Sequence, residues 1–361
     1  MTSLRFYAAL AVFLYHCPKV GIKWSPLNDF IVGHVGVPFF FVLSGFVLTW
    51  SFRPGMRART FWWRRFARIY PSYLATTLIA AVLIGTGVLG GTFQPRVLLM
   101  HMGLIQTWSL QYSVTFGLNS VAWTLSVEAF FYLTFPLLAW LLARVSRRTR
   151  WLTVVAYLTL SALATHAIIV GFEGRYYAVN PLLELGQFML GILLALELKD
   201  GWKPHVAGSL VAASAIPLVI AAKFTPQYFA HYLLLPAFAA IIVLAAGSDI
   251  AGHRSFLNAR LSVYLGEVSY AFYLVHVLVL WLLVTHLDFA RPWSLKRGLV
   301  AVAVAFTVTL VAAIGLHHGV ERPFQRWLLR KPARPEPAAI PAEPVMAQVV
   351  AVPAGRPDRV T

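Results

Sequence analysis

The stretch Leu4-Arg-Phe-Tyr-Ala-Ala-Leu-Ala-Val-Phe-Leu-Tyr-His16 is largely apolar, but it carries Arg5 near its start and His16 at its end. In a single helix, the imidazole lies about 16 Å along the axis from the guanidinium, roughly half of a ~30 Å hydrocarbon core. A cation and a titratable base inside a membrane-spanning helix are costly to insert and are usually functional. The stretch therefore predicts a membrane-spanning helix that carries functional side chains.

The rest of the chain has the composition of a membrane protein. Of its 361 residues, 59% are hydrophobic and 12% are charged, and the mean hydropathy is +0.71. A soluble protein of this length could not bury so much apolar surface. We predict an all-α polytopic bundle of about ten membrane-spanning helices around a central polar cavity. Apolar runs of sufficient length lie near 4–20, 30–52, 71–90, 123–143, 151–170, 181–198, 205–222, 231–247, 261–285 and 297–318.

The Lys and Arg residues that give the net charge of +17 lie mostly in the loops between these runs and after the last run. Counted from a cytoplasmic N-terminus, most Lys and Arg residues fall on the cytoplasmic side, as the positive-inside rule expects. Topology thus explains the basic composition, and nucleic acid is not predicted as a partner. We expect a multi-pass protein of the cytoplasmic membrane with both termini in the cytoplasm. Residues 1–330 are predicted to form the membrane domain, and the Pro- and Ala-rich residues 331–361 a disordered cytoplasmic tail.

Two motifs lie near the predicted cytoplasmic side. Arg65 and Arg68 are three residues apart in a basic loop before Pro71, which is predicted to open the third span. On a helical turn they would share one face and could bind a polyanion such as the phosphates of coenzyme A. Alternatively, they could act only as positive charges that determine the membrane topology. Ser44 and Gly45 interrupt the second span. The missing Cβ of Gly45 would admit either a ligand or a neighbouring helix.

Polar residues also lie inside later spans. Glu128 is an acid about one turn inside the fourth span, and Tyr132 lies one turn further along. The carboxylate could orient a histidine, bind an acceptor hydroxyl, or stay partly hydrated near the interface. Ser269, Tyr273 and His276 follow a 4, 3 spacing, which aligns them as a polar stripe. Such stripes face protein or a water-filled cavity rather than lipid.

No metal site is predicted. The single cysteine, Cys17, excludes disulfides within the chain and cysteine-based zinc sites. Neighbouring helical residues point about 100° apart, so neither His16 with Cys17 nor His317 with His318 forms a pair on one helix face.

Together these residues resemble the acyltransferase family 3 of multi-spanning membrane O-acyltransferases over about residues 1–330. Thr124 stands where the family often has serine. In chain order, the family's patterns match Arg5 and His16; Phe40, Phe41, Ser44, Gly45 and Phe46; Arg65, Arg68, Ile69, Pro71 and Tyr73; Trp123, Leu125 and Glu128; Ser269, Tyr270, Tyr273, Leu274 and His276; and Glu321, Pro323 and Phe324.

The resemblance implies transfer of an acyl group, commonly acetyl, from cytosolic acyl-CoA to a hydroxyl. The implied acceptor is a carbohydrate, such as a cell-surface polysaccharide or glycolipid, or a macrolide-type natural product. His16 would act as general base or as a transient acyl carrier, and Glu128 would orient His16 or the acceptor. The predicted site residues are His16, Arg5 and Glu128 for catalysis; Arg65, Arg68, Ser44 and Gly45 for the acyl-CoA donor; and Tyr132, Ser269, Tyr273 and His276 for the substrate.

A proton-coupled secondary transporter of a small solute is the alternative, because buried charges serve proton coupling too. The paired arginines, and the lack of obvious paired broken helices in the sequence, favour the enzyme.

Overall fold

The apolar runs form helices, because a helix satisfies its backbone groups internally where no water is available. The computed structural model describes residues 1–22, 33–53, 55–109, 111–172, 179–202, 208–253, 255–286 and 294–330, and these contain helices and turns but no strand. The predicted tail, 331–361, lies outside the described residues. In chain order the helices are α1 (Thr2–Val20), α2 (Gly36–Ser51), α3 (Ala58–Gly85), α4 (Pro95–Met102), α5 (Tyr112–Thr115), α6 (Trp123–Arg144), α7 (Arg147–Phe172), α8 (Pro181–Lys199), α9 (Gly208–Lys223), α10 (Gln227–Ile250), α11 (Arg260–His286), α12 (Leu295–Leu316) and α13 (Arg322–Leu328).

Each of the ten predicted runs overlaps one of these helices. Within the described residues, eight helices are long and apolar enough to cross a membrane. The two predicted spans outside this group are α1, where Arg5, His16 and Lys19 lower the hydropathy, and α9, which has 16 residues. The prediction of an all-α polytopic bundle is confirmed.

The third span differs from its prediction. The basic stretch that we predicted as a loop is helical, and α3 runs from Ala58 to Gly85 with Pro71 in its interior. Arginine is a good helix former, and the helix continues although Pro71 lacks an N–H to donate. The short helices α4 and α5 follow, with 8 and 4 residues, and neither is long enough to span a bilayer.

The helix ends that were predicted to be cytoplasmic meet at one face of the bundle. The amino group of Met1 lies 2.9 Å from Oδ2 of Asp249, which joins the start of α1 to the end of α10. Trp63 Nε1, near the start of α3, donates to the carbonyl oxygen of Leu328 at 2.9 Å. We call this end of the bundle the basic face: the N-terminal ends of α1, α3, α7 and α11 and the C-terminal ends of α2, α6, α8, α10 and α12.

Further polar contacts close the basic face around α8. Lys199 Nζ, at the end of α8, donates to the carbonyl oxygen of Thr49 near the end of α2 at 2.7 Å. Arg150 NH1, at the start of α7, lies 2.5 Å from Oδ2 of Asp200. Both ion-pairing and backbone contacts therefore connect helix ends that the alternation of spans places on the same side.

Helices α2 and α8 cross without room for side chains at the crossing. A Cβ on Gly45 would lie 2.1 Å from the carbonyl oxygen of Phe188, and one on Gly191 would lie 2.0 Å from that of Val42. Both distances are shorter than real contacts, so only glycine fits at either position. Of the two alternatives for Gly45, the structure supports the close approach of a helix. Gly45, predicted to bind the donor, lines neither of the cavities described below.

Candidate active site

A small cavity of about 90 Å³ lies among α1, α2, α3, α6 and α11, in the half of the bundle nearer the basic face. The structure brings most of the predicted site residues together here. Those that line the cavity are Arg5, Ser44, Arg65, Arg68, Glu128, Tyr132, Ser269 and Tyr273.

The charges around this cavity do not balance. Among its described lining residues, the guanidinium groups of Arg5, Arg65 and Arg68 outnumber the carboxylate of Glu128. Nε of Arg65 is buried and has no hydrogen-bond partner in the described structure. An unsatisfied guanidinium donor in a site of net positive charge favours an anionic ligand, and phosphate matches the guanidinium geometry.

Glu128 is held on the side of the arginines. Its Oε1 accepts hydrogen bonds from Ser44 Oγ, at 3.2 Å, and from the hydroxyl of Tyr132. Its charge interacts with that of Arg5. Its hydrogen bonds among the described residues do not include His16, which lines a different cavity. The geometry therefore does not support the interpretation in which Glu128 orients His16.

Two hydrogen bonds fix the helices that carry these residues. The hydroxyl of Tyr270, on α11, donates to the carbonyl oxygen of Ile69 at 2.6 Å, beside Arg68 on α3. Trp62 Nε1, on α3, donates to the carbonyl oxygen of Tyr132, on α6, at 3.0 Å. Tyr270 also lines the small cavity, but the sequence reasoning did not select it as a site residue. Its place next to Ser269 in the polar stripe was the available signal.

A larger cavity of about 890 Å³ lies in the half of the bundle away from the basic face. It is bounded by the C-terminal halves of α1 and α11 and the N-terminal ends of α2, α8 and α10. Most of its lining is aliphatic or aromatic. The titratable side chains in its lining, apart from tyrosines, are His16, Lys19, His34, Glu184 and His231.

His16 makes two polar contacts through one ring nitrogen. Its Nδ1 lies 2.8 Å from the carbonyl oxygen of Val12 and 3.3 Å from Nε2 of His276. Nδ1 of His276 in turn lies 2.6 Å from the carbonyl oxygen of Tyr273. A carbonyl only accepts, so both Nδ1 atoms carry hydrogen, and Nε2 of His276 is the acceptor for His16. In this tautomer, Nε2 of neutral His16 is unprotonated and carries a lone pair, which is the form required of a base.

His276 is fully buried and lines neither cavity. We predicted it as a substrate-binding residue, but the structure places it behind His16, at a distance of 5.1 Å between ring centroids. The contact exists because α1 and α11 pack closely: a Cβ on Gly266 would lie 2.3 Å from the carbonyl oxygen of Thr2. Ser269 lies on the same helix as His276 and donates to the carbonyl oxygen of Gly266 at 2.7 Å.

The two cavities are neighbours. Val37, on α2, and Tyr273, on α11, line both of them. The predicted polar cavity is therefore present as two compartments that follow each other along the bundle, one lined by arginines and one reached by His16.

Residues 1–318 match the acyltransferase domain of acyltransferase family 3. The chain belongs to this family. Its relatives include acyltransferase MdmB of Streptomyces mycarofaciens, which is 36% identical over 94% of this chain and 95% of the relative. Nodulation protein 10 of Rhizobium leguminosarum bv. viciae is 27% identical over 78% of this chain and 82% of the relative. Peptidoglycan O-acetyltransferase OatA of Listeria monocytogenes is 23% identical over 85% of this chain, which covers 53% of that protein. No solved structure matches the chain.

As a member of acyltransferase family 3, the protein is an enzyme, and its relatives are named as acyltransferases rather than transporters. Together with the eight apolar helices of the described residues, this makes it a multi-pass membrane acyltransferase. The charged and titratable groups in its interior are accordingly interpreted as parts of a reaction centre.

Sequence reasoning missed two buried titratable residues of the larger cavity, Glu184 and His231. Glu184, on α8, is buried, and its Oε2 accepts a hydrogen bond from Gln187 Nε2 at 2.6 Å. His231, on α10, is buried, and its Nε2 has no hydrogen-bond partner among the described residues. Glu184 is an acid inside an apolar run, which is the same signal that drew attention to Glu128. The signal for His231 was weaker, since a single histidine in a span is often only a packing residue.

Proposed function

We propose that the protein transfers an acyl group, most simply acetyl, from acyl-CoA to a hydroxyl of an acceptor bound in the larger cavity. One observation carries the proposal: a cavity lined by arginines adjoins a cavity lined by His16. The first suits an anionic donor and the second suits activation of a hydroxyl.

The donor would enter from the basic face, which on this proposal lies in the cytoplasm of a cytoplasmic-membrane protein. A volume of about 90 Å³ is below the ~300–1,000 Å³ of a site that encloses a whole ligand. The small cavity would therefore hold only part of acyl-CoA. Arg65 and Arg68 would bind its anionic groups, and the hydrogen bonds from Ser44 and Tyr132 would fix the carboxylate of Glu128 in the same cavity.

The reaction would be a direct acyl transfer. The acceptor oxygen attacks the thioester carbonyl carbon, a C–O bond forms, and the C–S bond breaks to release the thiolate of coenzyme A. Nε2 of His16 takes the proton of the hydroxyl and passes it to the thiolate. Arg5 lines the small cavity about 16 Å along α1 from His16, so it would add positive charge for the anionic donor rather than contact the oxyanion formed beside His16.

The larger cavity would bind the acceptor. A volume of about 890 Å³ is in the range that encloses a ligand of drug size. Its aromatic and aliphatic lining, with few polar groups, suits an amphipathic molecule that carries a sugar hydroxyl. A macrolide-type natural product or a glycolipid fits this description better than a long polysaccharide. Glu184 and His231 would hydrogen-bond the polar part of the acceptor.

The test uses the purified protein in detergent with acetyl-CoA labelled in the acetyl group. Candidate acceptors are a glycosylated macrolide, a glycolipid and a soluble polysaccharide fragment, and the acetylated product is identified by mass spectrometry. We expect transfer to an amphipathic acceptor and loss of transfer in His16→Ala, with an unchanged elution profile of the variant. A His16→Ala protein that turns over at the wild-type rate would remove His16 from the mechanism. Transfer to none of the acceptors, together with no hydrolysis of acetyl-CoA, would contradict the proposed function.

A further inference from the structure

We infer that Val37 and Tyr273 form a partition between the donor and acceptor cavities and thereby determine the length of the acyl chain that is transferred. The inference rests on the proposed function, since it assigns the two cavities to the two substrates.

The partition is identified by its place between the cavities. Both Val37 and Tyr273 contribute to the lining of each cavity, and both are almost fully buried, with exposed fractions of 8% and 7%. They come from different helices, α2 and α11. On this inference, a group that moves from one cavity to the other passes these two side chains.

The aromatic side of the partition is held in place. The hydroxyl of Tyr273 accepts a hydrogen bond from Thr124 Oγ1 at 3.1 Å and donates to the carbonyl oxygen of Val121 at 3.3 Å. Its ring packs edge-to-face against Phe40, with 5.9 Å between centroids. A ring fixed at both its edge and its hydroxyl cannot swing aside without losing these contacts, so it limits what fits beside it.

The same residue also contacts His276, which positions the proposed base His16. The carbonyl oxygen of Tyr273 accepts the hydrogen bond from Nδ1 of His276, which supports His16. One turn of α11 thus carries both Tyr273 of the partition and His276, the hydrogen-bond partner of the proposed base. Attack on the thioester has to take place at this level of the bundle, where the hydroxyl beside His16 and the thioester carbonyl can meet.

The acyl group is the leading end of a donor that enters from the basic face. It therefore reaches Val37 and Tyr273 before the thioester carbonyl does. An acetyl group has one methyl beyond the carbonyl, whereas each longer chain adds methylenes that must be placed against the partition. Val37 is the smaller and less constrained of the two side chains, so shortening it should admit longer chains.

The experiment compares kcat/KM for acetyl-, propionyl-, butyryl- and hexanoyl-CoA, with the full chain in detergent and one acceptor. In Val37→Ala, we expect kcat/KM for butyryl-CoA relative to acetyl-CoA to rise about 16-fold, because each of the two additional methylenes contributes about 4-fold. Val42→Ala is the matched control. It removes the same two methyl groups from the same helix at a buried position that lines neither cavity, and should leave the ratio at the wild-type value.

A second variant tests the opposite direction. Val37→Ile adds a methylene to the partition and should lower kcat/KM for propionyl-CoA more than for acetyl-CoA, and it remains informative if the alanine variant does not fold. Equal chain-length profiles in wild type, the Val37 variants that fold and Val42→Ala would overturn the inference while leaving the acyltransferase function intact. If the wild type transfers from none of these donors, the proposed function itself fails, and the inference fails with it.

Discussion

Replacing His276 by leucine should lower kcat about 2- to 10-fold and leave the KM for donor and acceptor unchanged. Leucine removes the acceptor for the Nδ1 hydrogen of His16 but keeps a side chain of similar bulk in the contact between α1 and α11. His276 lines neither cavity, so neither substrate loses a contact.

The magnitude follows from the distances around His16. The lost hydrogen bond joins two neutral rings at 3.3 Å, and a bond of this kind is worth about 0.5–1.5 kcal/mol. The shorter bond of His16 to the carbonyl oxygen of Val12, at 2.8 Å, remains and still fixes the tautomer. Removal of the base itself, in His16→Ala, should cost about 10²- to 10⁴-fold. The carbonyl oxygen of Tyr273 keeps its partner within α11, so no buried group is left unsatisfied there.

The assay measures initial rates of acetyl transfer for wild type, His276→Leu and His276→Gln. Glutamine can accept from His16 and donate to Tyr273, so it should restore most of the rate. His286→Gln is the control, because His286 is exposed on the same helix and lies 3.0 Å from the carbonyl oxygen of Leu282. A leucine variant as slow as His16→Ala would give His276 a direct role in the chemistry. A leucine variant as fast as wild type would show that His276 does not position His16.

Four further outcomes are expected. Arg68→Ala should raise the KM for acyl-CoA at least 10-fold, since a charge-assisted contact is worth about 1.5–3 kcal/mol, and the effect should be smaller at high salt. An unchanged KM for acyl-CoA would show that Arg68 does not bind the donor. Glu184→Gln should raise the acceptor KM a few-fold and leave the donor KM unchanged, and the reverse pattern would contradict its place in the acceptor cavity. Gly45→Ala should destabilise the fold by about 1–3 kcal/mol, measured as a lower Tm, while Gly247→Ala, with open space around it, should not. Initial-rate plots at several acceptor concentrations should intersect, as for direct transfer with His16 as base; parallel lines and acyl label on the protein would favour the acyl-carrier alternative.

Hydropathy was sufficient to predict most of the helices, because an apolar segment in a bilayer has to satisfy its backbone hydrogen bonds internally and therefore forms a helix. The run at 181–198 is the helix Pro181–Lys199, and the run at 261–285 is Arg260–His286. The prediction failed where a helix leaves the apolar region. In the first turns of Ala58–Gly85, arginines interrupt the apolar residues, so no continuous apolar run marks this part of the helix. Its helical structure comes from propensity and from contacts with other helices.

The residues of the candidate site were easier to select from the sequence than the contacts that they make. Charge inside apolar runs was enough to select Arg5, Glu128 and His16. The pairing of Glu128 with Ser44 and Tyr132, and of His16 with His276, depends on how each helix is rotated and how closely it packs. One sequence does not contain that information, because the small residues that allow a close crossing can face any neighbour.

The division into two compartments separates two requirements that conflict in a single cavity. Binding a polyanion requires several fixed positive charges, and these are costly to bury in a medium of low dielectric constant. Arg65 and Arg68 lie in the first turns of α3, near the basic face, where water reduces that cost. An apolar acceptor requires the opposite environment, and the larger cavity provides it with few charges. A neutral histidine where the two cavities meet is compatible with both environments, because its imidazole is uncharged until it takes the proton of the acceptor hydroxyl. The partition of Val37 and Tyr273 then keeps the acceptor away from the arginines while leaving only the acyl group to cross.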